Sequence, residues 1–401
     1  MTSAIPIKRL ASVTLGKMVQ PDSKAESDIY APYLRAAHVQ PHGNVIELPD
    51  QRMWFSRPEL LALDLRQGDV VVVEGGAGYG RSAVLREDLP GWGFQNSIVR
   101  LRPAVGVADG RYLDYALQDA LADGRIDLVT STATLPHFTA DKVSKFEVPS
   151  PALDEQRAIA DYLDHETAQI DALVAKQEEF IGLLRERRSA VILSVAGTIS
   201  AKETRPLRRL AILSTGSTPS GGSGEDNFVG EREIGWVTPE DLRAAIVPTR
   251  FPTATALKQM TVVPAGSTLV CGIGASVGKL GFSVSSVTTN QQITSAVPRE
   301  GVHGRYLYYA IAAEREQLFA NTVTTTLPII NNVRLGSLII KSCSFAEQNR
   351  IADHLDEQTS RIDTLIAKAE EHIALAKERR SALITAAVTG QLNVRTARKA
   401  G

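Results

Sequence analysis

The chain has 401 residues, too many for one ordinary domain, and a 43% hydrophobic content predicts folded globular material in two or three domains. The longest aliphatic run, Val70 to Val73, is far short of the ~20 residues of a membrane helix, and the opening MTSAIPIKRL has no apolar leader core, so a cytoplasmic protein without membrane association is expected. A formal net charge of −1 excludes coating of nucleic acid by bulk positive potential, although residues 1–150 count to about −2 and residues 201–345 to about +4.

Residues 1–153 read as a first globular domain. Short β-branched runs such as DVVVV (69–73) end in glycine turns, here GGAGYGR (75–81), and YLDYALQDALADG (112–124) has helical spacing, so a mixed α and β domain is predicted. After the turn, GFQNS (93–97) sets Gln95 beside Asn96. Amide side chains can bond two atoms of adenine in the major groove, but they also make turns that bond their own backbone, and the residues weigh these readings evenly. Thr134 and His137 are further candidates for DNA contact, and Lys8 and Arg9 suit either phosphate or solvent.

A helix is predicted over 154–200, which lacks proline; within its repeated stretch, 155–192, only Gly182 interrupts. Residues 201–345 then repeat the mixed pattern, with STLVC (267–271), the glycine turn GIGASVGKLG (272–281), TTNQQ (288–292) and GRYLYYA (304–310). Asn290, Gln291, Gln292, Thr326, Asn331 and Asn332 are its candidate DNA contacts, and Arg208 and Arg209 match Lys8 and Arg9. A second helix follows over 346–395, then a flexible tail over 396–401.

The chain is internally duplicated. Residues 155–192 align with 347–384 without a gap and agree at 23 of 38 positions, and a 38-residue helix spans about 57 Å. A heptad-like apolar seam predicts that the helices pair, through Leu163, Ile170, Leu173, Phe180, Leu184 and Val191 in one and Leu355, Ile362, Leu365, Ala376 and Leu383 in the other. The likeness continues more weakly into the domains: GRYLDYA (110–116) matches GRYLYYA (304–310), and Thr134 to Pro136 match Thr326 to Pro328. Helices kept alike beside diverged domains suggest one partner met twice and two different targets read.

These residues resemble the specificity subunit of Type I restriction-modification systems over nearly the whole chain. The likeness is carried by Glu155-Gln156 and Glu347-Gln348, by Ile170 to Glu179 and Ile362 to Glu371, and by the ERRSA close of each helix (186–190, 378–382). GSTPS (216–220), GWVTPEDL (235–242) and Gly278-Lys279 resemble landmarks of the second domain; the first has Tyr33-Leu34-Arg35 and Gly80-Arg81 instead. The resemblance implies two target-recognition domains held apart by an antiparallel pair of helices, each reading half of a split site in double-stranded DNA. It also implies two adenine methyltransferase subunits and ATP-dependent nuclease subunits as partners. On that alignment Arg35, Arg81, Thr238 and Lys279 join the candidate contacts.

No chemistry of the chain's own is legible. GIGASVGKLG lacks the Walker A register, since position 273 is Ile and Leu280 stands where Mg²⁺ needs a hydroxyl. No Pro-Pro pair exists to carry an amino-methyltransferase motif, and Pro41 between His38 and His42 disfavours a helical metal pair. Cys271 and Cys343 have no zinc or disulfide spacing and read as reduced structural thiols. A non-catalytic subunit without cofactor or metal is expected; the alternatives are a coiled-coil scaffold whose domains bind proteins, and an enzyme acting on DNA.

Overall fold

The computed structural model describes residues 3–49, 51–130, 136–198, 203–230, 233–324 and 327–397. Four helices frame it: α1 (Gly110–Ala122), α2 (Leu153–Thr198), α3 (Gly304–Ala313) and α4 (Phe345–Val388). Two compact units form, Met1–Gln177 with Glu371–Gly401 and Glu178–Glu370, so each takes part of both long helices.

In the first unit, β1 (Ala11–Leu15), β2 (Val70–Val73), β3 (Ser82–Val84) and β4 (Ile98–Pro103) make an antiparallel sheet in the order β1-β4-β2-β3. The unbroken valines of β2 follow from its place in the middle. Side chains alternate along a strand, so Val70 and Val72 enter one core while Val71 and Val73 enter another on the opposite face. The first core holds Tyr112, Leu113 and Leu117 of α1, Ile159 and Leu163 of α2, and Ile384 and Val388 of α4. The second lies against the strand Ile29–Leu34, which pairs antiparallel with Arg52–Phe55 and parallel with Gly93–Phe94.

The second unit repeats this plan with β5 (Ala211–Thr215), β6 (Thr268–Cys271), β7 (Leu280–Phe282) and β8 (Ile293–Pro298) in the order β5-β8-β6-β7. Val270 of β6 faces a core with Tyr306, Leu307 and Leu355, while Leu269 and Cys271 face another with Val237 and Ile246. Both cysteines are free thiols. In each unit an antiparallel ribbon joins the domain's ends just before a long helix: Ala4–Pro6 with Glu147–Pro149, and Glu203–Pro206 with Ile339–Ser342.

The duplicated residues fasten each helix to its own domain. Gln156 accepts the Asp109 amide at 3.0 Å, and Gln348 accepts the His303 amide at 2.8 Å, both at the start of the packed helix α1 or α3. The Tyr115 hydroxyl meets Thr167 at 3.2 Å and Asp164 at 2.9 Å; Tyr309 meets Thr359 at 2.9 Å and Asp356 at 2.5 Å. Gly110 and Gly304 open the GRYL helices because a Cβ there would lie 2.1 Å from the Gly68 oxygen and 2.2 Å from the Gly266 oxygen.

The long helices run antiparallel. Within the first unit Arg380 meets Asp171, and within the second Arg188 meets Asp363 and Arg185 meets Glu370, so rising numbers in α2 face falling numbers in α4. The buried seam of α2 alternates steps of three and four through Gln156, Ala160, Leu163, Thr167 and Ile170, then resumes at Ile181 and Leu184. The matching positions of α4, among them Gln348, Ala352, Leu355, Thr359, Ile362 and Ala376, are buried too, and Leu383 is half-buried. Leu173 and Leu365, expected on the seam, are 48% and 45% exposed, with Phe180 beside Leu173's face at 42%. The seam instead passes through the half-buried neighbours Val174 and Ile366.

Candidate nucleic-acid interface

In the first unit one end of the sheet, where β1 and β2 finish and β4 begins, gathers loops from distant parts of the chain. The Lys17 amide donates to Phe94, the Asn96 amide to Lys17, the Gln95 amide to Leu34 and the Glu74 amide to Ser97. Gly75 and His137 form a bridge, and the Phe138 amide donates to Glu74 at 2.7 Å. Arg35, Gln95, Asn96 and His137 are thereby brought together; Thr134 lies outside the described residues. Gln95 and Asn96 are half-buried, and His137 is exposed.

Three residues at this end were not singled out in the sequence. Lys17 bonds Glu59 at 2.5 Å and sits over the Phe55 ring, and its ammonium holds the Glu59 carboxyl below the usual carboxylate range. Met18 beside it is 74% exposed. Glu74 pairs with His137. A charged residue ending the valine run was the one available signal for Glu74; Lys17 shows only through alignment of Gly16 with Gly216.

The equivalent end of the second unit closes in the same way. The Ser217 amide donates to Thr289, the Asn290 amide to Val237, the Gly272 amide to Gln292 and the Ile330 amide to Gly272. Thr238, Asn290, Gln291, Gln292 and Asn331 are therefore neighbours, and Thr326 lies outside the described residues. Several of these side chains are committed locally. Asn290 accepts the Gln292 amide and donates to its side chain, both at 3.0 Å. Thr238 donates to Asp241 at 2.8 Å, and Asn331 caps the short helix Asn332–Gly336. Asn332 accepts from Thr215 at 3.1 Å and Thr294 at 2.8 Å. Gln291 points out from this turn, exposed.

The two basic residues of the glycine turns face elsewhere. Arg81 lines a cavity of about 350 Å³ with Gln40, Asp119, Lys377 and Arg380. Lys279 donates to the carbonyls of Pro239 at 2.8 Å and Glu240 at 3.2 Å. Among the described residues no group of three His, Cys, Asp or Glu is arranged to hold a metal ion, and no helix is long and apolar enough to cross a membrane.

A second surface runs along the helices, away from the seam. Leu173, Lys176, Leu183, Arg187 and Ala190 recur unchanged as Leu365, Lys368, Leu375, Arg379 and Ala382, and all ten are exposed. Steps of three, seven, four and three keep each set on one face of its helix.

The family model described as "Type I restriction modification DNA specificity domain" matches residues 202–374. That stretch, which takes in the second domain and most of the helix after it, is similar to this family of specificity domains. The EcoBI specificity subunit of Escherichia coli is 29% identical over 104 residues, 26% of this chain, and the match spans only 22% of that relative's length. A chain from a solved type I R-M system is similar in fold, with a TM-score of 0.71 and 16% identity over 97% of this chain and 98% of that one. The HsdS subunit from Thermoanaerobacter tengcongensis, also 16% identical and covering 97% of both chains, gives a TM-score of 0.50. At such identity the likeness establishes the fold: two mixed α and β domains in tandem, each followed by a long helix, the helices paired antiparallel.

Proposed function

We propose that this chain is a specificity subunit that reads a bipartite site in double-stranded DNA, one half with residues 1–153 and the other with residues 201–345, and delivers partner subunits to it. The observation that carries the reading is the contrast within the duplication. The two loop ends share a scaffold and differ in almost every exposed side chain, whereas the helices have kept 23 of 38 positions. Base edges are read by side chains, so divergence there is what two different half-sites require. In this reading Arg35, Gln95, Asn96 and His137 face one half-site, and Gln291, Gln292 and Thr238 the other. The turn formers Asn290 and Asn331 shape the second surface, with Lys279 supporting it from behind, and Arg81 supports the first in the same way. Thr134 and Thr326 complete the two sets.

The partners are methyltransferase subunits, two of them because the exposed helix face occurs twice, together with ATP-dependent nuclease subunits. The spacer segments are residues 154–200 and 346–395, the protein works in the cytoplasm, and it takes no cofactor and catalyses nothing itself. Methylome mapping with the cognate methyltransferase tests this. Adenine methylation at a split motif is expected only when both proteins are present, and replacing residues 201–345 with a relative's domain should change one half-site alone. S-adenosylmethionine turnover by the purified chain, or a change in both halves, would sink the reading; partner binding with no DNA preference would favour a protein scaffold.

A further inference from the structure

At the first unit's loop end, Glu74 and His137 form a device that the second unit lacks. The Glu74 carboxylate meets His137 Nδ1 at 3.1 Å, although the residues are 63 apart in sequence. Gly75 lies beneath the ring: a Cβ there would come within 2.5 Å of Nδ1 and 2.6 Å of Cε1, so only glycine lets the imidazole settle against the backbone. Lys142 donates to the His137 carbonyl at 3.1 Å and fixes the main chain from the other side. The ring is held by Glu74 and by its seat on Gly75 while remaining 46% exposed. At the equivalent positions the second unit has Gly272 and Ile329, which form the same kind of bridge through Ile273 without any polar pair.

A carboxylate only accepts hydrogen bonds, so Glu74 draws the proton of the neutral imidazole onto Nδ1 and leaves Nε2 as a lone-pair acceptor. We infer that His137 is a specificity-determining residue of the first half-site, with its outward Nε2 accepting from the amino group of one adenine or cytosine in the major groove, and that Glu74 and Gly75 are its positioning residues. This deepens the DNA-reading proposal and rests on it. The amino group is the selective feature, because guanine and thymine present acceptors at the corresponding places and an acceptor facing an acceptor is repelled. Its bond to Glu74 and its seat on Gly75 oppose turning of the ring away from the mismatch.

The test is a coupling measurement on the chain in complex with its methyltransferase, using duplexes in which each first-half-site base in turn lacks one group. Purine replaces adenine and 2-pyrimidinone replaces cytosine to remove the amino group; 7-deazaguanine replaces guanine to remove an acceptor. Wild type is expected to lose on the order of ten- to a hundredfold in affinity at one amino-bearing position, and His137→Ala to be indifferent to the same change. Gly75→Ala should abolish that sensitivity with His137 intact. Glu74→Gln can donate to Nδ1 and so place the proton on Nε2, and this variant should accept the keto base, guanine for adenine or thymine for cytosine, at that position. Coupling of His137 to 7-deazaguanine, or to no first-half-site base while wild type remains sensitive elsewhere, overturns the assignment. A wild-type complex insensitive at every position would instead remove the DNA reading beneath it.

Discussion

Arg380 of α4 meets Asp171 of α2 at 3.2 Å in the first unit, and the same pair recurs 192 residues away in the second, where Arg188 of α2 meets Asp363 of α4 at 2.9 Å. Each arginine reaches across the helix pair, but the two are not equally engaged. Arg380 is 5% exposed and also donates to the His42 carbonyl at 3.1 Å and the Gln118 side chain at 3.3 Å, whereas Arg188 is 22% exposed.

Arg380→Met is therefore expected to destabilise the first unit by about 2 kcal/mol, since it leaves the His42 carbonyl and the half-buried Gln118 side chain without this donor as well as breaking the ion pair. Arg188→Met should weaken the second unit by about 1 kcal/mol, Arg188 itself being the more exposed of the two arginines. Hydrogen exchange, read separately for residues of each unit, measures both; equal losses would show that the extra bonds of Arg380 carry no weight.

Asp114 makes the first unit sensitive to pH. Its carboxyl accepts from Ser82 at 2.7 Å and Gln118 at 2.9 Å, but burial dominates and pushes its pKa up to about 6. An acid whose folded pKa lies above its unfolded value, near 3.9, favours folding when protonated. The contribution is complete below about pH 4 and is lost as the pH rises through about 6. The unfolding midpoint of the first unit should fall across that window in wild type relative to Asp114→Asn, by on the order of 2–3 kcal/mol in stability. Parallel pH profiles for the two proteins would refute it.

Gly110→Ala and Gly304→Ala should each destabilise their own unit by 2 kcal/mol or more on the order of magnitude of other backbone clashes. The added methyl would meet a main-chain oxygen, which cannot swing aside as a side-chain tip can. Chemical denaturation of the two single variants checks this, and a loss below about 0.5 kcal/mol in either would mean the GRYL helix can shift to admit it.

Leu173→Glu and Leu365→Glu test the proposed contact with methyltransferase subunits. Both leucines are half exposed, so melting temperature should be nearly unchanged, while co-elution with the methyltransferase on size exclusion should fall at least tenfold for the double variant. Retained co-elution would move the partner contact off this face.

Sequence by itself determined the duplication, the two helices and the mixed character of the domains, because each rests on local signals. Matching segments align without a gap, the helices lack proline, and the β2 valines end in glycines. It could not fix the phase of the helix seam. Leu173 and Val174 are both apolar, and which of them is buried depends on how Gln156, Leu163 and Thr167 dock the helix against its own domain. Nor could it separate side chains that build a turn from those that face outward: Asn290 and Gln291 are adjacent amides, and only the bonds of Asn290 to Gln292 distinguish them. Glu74 and His137 meet because β2 ends where the loop before Phe138 crosses it, and a contact made by chain crossing leaves no periodicity or spacing to read.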